Sequence, residues 1–215
     1  MELFSLTWTA LRTAVAELAD EDFARPSGCT GWLVRDLACH LVIDAQDVLI
    51  TLAAPVDEAA TRDAATYWDA SDSPPTGDDP LDALTVRLAA AYQEPWLLQF
   101  HLDDVGSAAD RAAALVPHAA SAPAAGCSPR PTTCPRTSSS GLHLDLIAHL
   151  PGAADPPTAS LAASRALLAR IAGATFPTSF SHRDALLIGT GRREPTDAER
   201  TAVGALARRV PLILG

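Results

Sequence analysis

The sequence predicts a mainly α protein, a helix bundle followed by a small C-terminal α(+β) extension. Three observations carry that expectation. Apolar residues recur in steps of three and four over stretches long enough for bundle helices. Pro and Gly punctuate the ends of those stretches. Only one short run, Asp184–Ile188, reads as a strand.

Taken in order, residues 2–19 form the first predicted helix. Phe4, Trp8, Leu11, Val15 and Leu18 make one apolar stripe along it. The segment Asp20–Pro26 ends this helix and carries Phe23 back toward the core. A second helix spans about 31–53. Thr30 is placed to cap it, and Leu33, Leu37, Leu41, Val48 and Leu52 face inward. Pro55 stops it. On another side of the same helix Asp36, His40, Asp44 and Asp47 form a polar row at helical spacing.

Residues 55–80 are acidic and rich in Ala, Asp and Pro, and read as a loop in which Tyr67-Trp68 is the only aromatic pair. A third helix is expected over 80–93 with Leu81, Leu84, Leu88 and Ala91 inward, and a fourth over roughly 96–116 through Leu98, Val105, Ala108, Ala112 and Leu115. Residues 117–141 differ from the rest. They contain five prolines, five serines and no Leu, Ile, Phe or Trp, a composition that predicts irregular structure. Helical pattern resumes at Leu142–His149 and stops at Pro151-Gly152. A further helix starts at Thr158 or Ser160 and ends at Ala172, with Gly173 as its stop. The tail then carries the Asp184–Ile188 strand, a turn at Gly189–Gly191, and a last helix over Thr196–Arg209 opened by Thr196 and Glu199 as a capping box. The domain organisation that follows is a bundle over 1–152, irregular at 117–141, and an extension over 153–215.

Bulk properties exclude several classes. A net charge of -10 over 215 residues offers no nucleic-acid footprint. No apolar run reaches the ~18–20 residues of a membrane span. No basic, then apolar, N-terminal signal is visible, so the expected location is the cytoplasm. All 16 basic residues are Arg, a codon-level sign of GC-rich coding. The cysteines, Cys29, Cys39, Cys127 and Cys134, include no C-x-x-C pair and read as small thiols of a reducing compartment.

Six histidines are candidates for chemistry. His40 has apolar residues on both sides along its helix, and Asp44 one turn on could fix its tautomer. On spacing alone it is either a metal ligand between helices or a half-exposed histidine among charged neighbours. In His143-x-Asp145-x-x-x-His149 the last two are one turn apart and can share a face, whereas His143 and Asp145 cannot. His101-x-Asp103-Asp104 reads as a solvated helix end, and His118 lies in the irregular stretch. No G-x-S-x-G, P-loop or G-x-G-x-x-G motif is present. Gly189-x-Gly191-Arg192-Arg193 is a turn with two cations, either a structural turn or a carboxylate site.

PSGCTGWLVRDLACHL, preceded by a helix with Trp8, resembles the mycothiol-dependent maleylpyruvate isomerase family of the wider DinB-like group. The motif residues are Cys29, Gly31, Trp32, Val34, Arg35, Asp36, Leu37, His40 and Leu41. The likeness extends to Tyr67-Trp68, to HLDLIAHLPGA and to the GTGRREPTDAER tail. It implies a DinB-like four-helix bundle holding a divalent metal, usually zinc. The ligands would be a histidine of the second helix and a Glu-x-x-x-His pair of a later one. It also implies mycothiol as the thiol, and isomerisation or thiol transfer on a small-molecule electrophile. A monomer or homodimer needing neither nucleic acid nor membrane fits this reading. Carried over, His40 is the first ligand and His143 the later one, with Asp145 and His149 as further candidates. The residue four before His143 is Ser139, not Glu. The alternative is a non-catalytic or degenerate bundle with a binding or regulatory role.

One hypothesis connects the missing acid to the anomalous composition. A GC-rich back-translation of TTCPRTSSS, read from the third base of its first codon, encodes Asp-Leu-Pro-Glu-Asp-Leu-Val-Glu. Two compensating frameshifts would then create the stretch. Sequencing the gene decides it, because an alternate frame lacking acidic, leucine-bearing codons ends the idea.

Overall fold

The computed structural model describes residues 2–54, 65–66, 80–115 and 135–212. Eight α-helices lie among them: α1 Glu2–Ala16, α2 Val34–Ala53, α3 Pro80–Ala91, α4 Pro95–Leu115, α5 Pro135–Ile147, α6 Thr158–Ala172, α7 His182–Gly189 and α8 Asp197–Val203. Tyr67 and Trp68, His118, Cys127 and Cys134 fall outside the described residues.

Four helices close a ring. α1 packs on α4 and α5, and α2 packs on the same two. The result is a four-helix bundle, with α3 laid on α2 and α6 against α1 and α5. Its core draws on the predicted stripes of α1 and α2; on α4 the buried row is Leu98, Leu102, Gly106 and Ala109, whereas Leu115, expected in the inward row, is 84% exposed. Leu11, Leu37, Leu41, Leu98, Leu102 and Leu146 are fully buried, each contributing about 1.5–3 kcal/mol of transfer free energy. Trp8 is buried as well, and its indole N–H donates to the Gly106 carbonyl at 2.9 Å. α4 approaches α1 closely there, because a Cβ on Gly106 would stand 3.2 Å from that indole nitrogen.

Several expectations need correction. Residues 184–188 are helical, not a strand. Ser181 caps α7 by accepting the Asp184 N–H at 2.9 Å, and Ala185, Leu186 and Ile188 are buried. An apolar run this short fits either period, and the cap decides it. Among the described residues there is no β-strand, only an isolated Pro26–Leu33 bridge. The end of the stretch expected to be irregular is helical, since α5 begins at Pro135 and buries Ser139, Ser140 and Gly141. α3 turns its other face inward. Thr85 and Ala89 are buried, whereas Leu81, Leu84 and Leu88 are exposed. His101 and Asp103 stand in the middle of α4, not at a helix end. Thr30 does not cap α2; the Asp36 carboxylate accepts the Leu33 N–H at 2.8 Å instead.

Candidate functional site

The site region starts in the turn before α2. Pro26 and Leu33 pair across it, and the Ser27 N–H donates to the Trp32 carbonyl at 2.9 Å. Gly31 has φ +81, a left-handed conformation costly for any residue with a Cβ. This closed turn delivers Trp32 onto α2. Its ring meets the His40 imidazole edge-on, with centroids 5.3 Å apart and planes at 63°.

On α2, His40 and Asp44 meet as one-turn neighbours, with His40 Nε2 3.7 Å from Asp44 Oδ1. Both are largely covered, at 20% and 14% side-chain exposure. Burial raises the Asp44 carboxyl from 3.8 to about 6, against the opposing pull of His40. The Asp44 carboxyl can therefore exchange a proton close to neutral pH, and it stands where it can orient the His40 imidazole.

On α5, two buried polar residues face apart. His143 is 2% exposed, and its Nε2 lies 3.2 Å from the Ala154 carbonyl. Burial lowers its pKa, so the ring is neutral at pH 7, and donation to Ala154 leaves a lone pair on Nδ1. That Nδ1 is buried and has no hydrogen-bond partner. Asp145 is held from the tail instead. Arg192 Nε and Nη2 donate to its two carboxylate oxygens at 2.8 and 2.7 Å, a bidentate buried pair. The Cys29 thiol also donates to Asp145 Oδ2 at 3.6 Å. Burial and the Asp145 charge push that thiol up to about 12, which keeps it protonated and unreactive.

Of the four residues expected to hold a metal, His149 is exposed in the turn after α5, Asp145 is taken by Arg192, and His40 and His143 stand on adjacent helices of the ring. Among the described residues no three His, Cys, Asp or Glu side chains converge as a metal cage. Ser139, at the position where the resemblance expects an acid, is buried in α5. Sequence reasoning saw that Arg192-Arg193 could bind a carboxylate but missed that the carboxylate is Asp145. The signal was available: an acid inside the apolar run LHLDLI requires a cation.

The ring of α1, α4, α2 and α5, with imidazoles on α2 and α5, defines a mainly α, DinB-like helix bundle. Residues 4–150 match the model of one family, the mycothiol maleylpyruvate isomerase N-terminal domain. The chain belongs to that family. No curated protein and no solved structure matches it.

Proposed function

We propose that this chain is a divalent-metal-dependent, mycothiol-linked isomerase or thiol transferase acting on a small electrophile, with His40 and His143 as the imidazole donors. The observation that supports this most is the buried, unpartnered Nδ1 of His143. An orphaned buried acceptor costs about 1–3 kcal/mol, which a bound cation offsets. His40 fits as the second donor, since Asp44 beside its Nε2 can hold the ring in one orientation. A bound divalent ion supplies Lewis-acid polarisation and makes a thiol acidic enough to act as a nucleophile at neutral pH.

The chain's own residues prepare that chemistry. Trp32 packs edge-on against the His40 ring and places an apolar group beside it. Asp44, titrating at about 6, can take up or release a proton beside that ring. Cys29 is not the nucleophile, because its thiol is held protonated by burial and Asp145.

A second reading, a bundle with a binding or regulatory role, is favoured by one observation. Ser139 stands where an acidic ligand is expected, and two imidazoles are one ligand short of the three that a catalytic zinc site uses. Thermal melts with added zinc separate the two. Zinc at about 100 times its Kd should stabilise the wild-type protein by about 2.7 kcal/mol. His40→Ala and His143→Ala should each abolish the shift. A wild-type melt that zinc leaves unmoved sinks the first reading and leaves the second.

A further inference from the structure

We infer that Arg192, in the tail beyond the family-matched residues 4–150, is a positioning residue for His40, acting through Asp145 and the Ser27–Trp32 turn. The inference deepens the reading above and rests on it only in taking His40 as a site residue.

The path is continuous. The Arg192 fork fixes the Asp145 carboxylate at two points, 2.8 and 2.7 Å away. Asp145 then grips the turn twice. Its main-chain carbonyl accepts the Gly28 N–H at 2.7 Å, and its Oδ2 accepts the Cys29 thiol at 3.6 Å. Cys29 in turn accepts the Trp32 N–H through its carbonyl at 3.1 Å. Trp32 closes the path with its ring against His40.

Two glycines make this close approach possible. A Cβ on Gly28 would sit 2.7 Å from Asp145 Oδ1 and 2.8 Å from its Cα. A Cβ on Gly141 would sit 3.0 Å from Arg192 Nη2. A glycine stands against each partner of the ion pair, so the turn, α5 and the tail come together at one carboxylate. An ion pair serving stability alone does not require the turn's backbone to approach Asp145 this closely.

The test is NMR on the metal-free full chain, reading the His40 ring protons, which the edge-on Trp32 indole displaces by its ring current. Trp32→Ala sets the undisplaced position. Arg192→Gln is expected to move the His40 signal toward that position. Arg192→Lys, which keeps the charge but loses the fork, should move it part of the way. Gly28→Ala, which keeps Arg192 but crowds the turn against Asp145, should move it too. Arg193→Ala, which breaks the neighbouring pairs to Asp184 and Glu199, should leave it at the wild-type position.

An unmoved His40 signal in folded Arg192→Gln overturns the inference. So does an equal movement in Arg193→Ala, which would mean that the tail is merely loosened. If Arg192→Gln does not fold, unmoved signals in Arg192→Lys and Gly28→Ala overturn it. Failure of zinc to stabilise the wild-type protein would remove the functional reading and leave this contrast standing.

Discussion

α2 and α5 each carry a histidine and an aspartate, and they use them in opposite ways. On α2 the two are four residues apart, so His40 and Asp44 share a side and meet, partly open to solvent. On α5 they are two apart, so His143 and Asp145 face different neighbours, both buried. Asp145 is satisfied by a cation from the tail, and His143 keeps one nitrogen unpartnered. Spacing decides which groups can meet, and burial decides whether they must be paired.

The largest effect expected from this contrast lies on α5. Arg192→Ala leaves Asp145 as an unpaired buried charge and should cost about 3–5 kcal/mol in denaturant unfolding, while Arg192→Met combined with Asp145→Leu should recover most of it. A single-variant loss below 1 kcal/mol would mean that the pair is not desolvated.

Asp44 gives the next largest effect, and it depends on pH. Its folded pKa of about 6 lies above the ordinary 3.8, so the folded state binds the proton more tightly than the unfolded one. That contribution is fully present below pH 3.8 and is lost as pH rises through about 6. Asp44→Asn should therefore match the wild type near pH 4 and exceed it by up to about 3 kcal/mol at pH 7. A difference that stays flat across this window contradicts the burial of Asp44.

Gly28→Ala should cost about 1–3 kcal/mol, because its Cβ meets Asp145 backbone that cannot swing away. The smallest effect belongs to His40→Ala, which should change metal-free stability by less than about 1 kcal/mol while removing any response to zinc. A similarly small change for Arg192→Ala would erase the distinction between the two helices.

The thiols extend the comparison to reactivity. Cys29 is held at about 12 and Cys39 at about 11, in both cases chiefly by burial. Alkylation by iodoacetamide at pH 8 should be slow at both in the folded protein and fast after denaturation. Rapid labelling of Cys29 in the native state would show that its turn opens away from α5.

Legibility in the sequence followed the same logic. α1 and α2 were readable because one long stripe on each faces the core, and Trp8, Leu11, Leu37 and Leu41 stand where the periodicity puts them. α3 was readable as a helix but not in its facing. Its small residues, Thr85 and Ala89, pack on α2, and the leucine row stays outside. The start of α5 was hidden because serines are weak helix formers, and only tertiary packing makes Ser139 and Ser140 interior residues. At the site, the His40–Asp44 contact follows directly from one-turn spacing. The Asp145–Arg192 contact spans 47 positions and leaves no local pattern.

The ring has a consequence for synthesis. α5 closes it, so α1, α2 and α4 emerge from the ribosome with an open apolar trough and no helix to fill it. When α5 arrives, Asp145 still waits for a cation encoded 47 residues later. At ordinary translation speeds that is about 2–9 seconds in which the carboxylate is either left wet or buried alone. A nascent chain paused just after residue 150 would contain the whole family-matched segment and still lack the cation that pairs with Asp145. The last bundle helix thus gains its full hold only once the tail has been made.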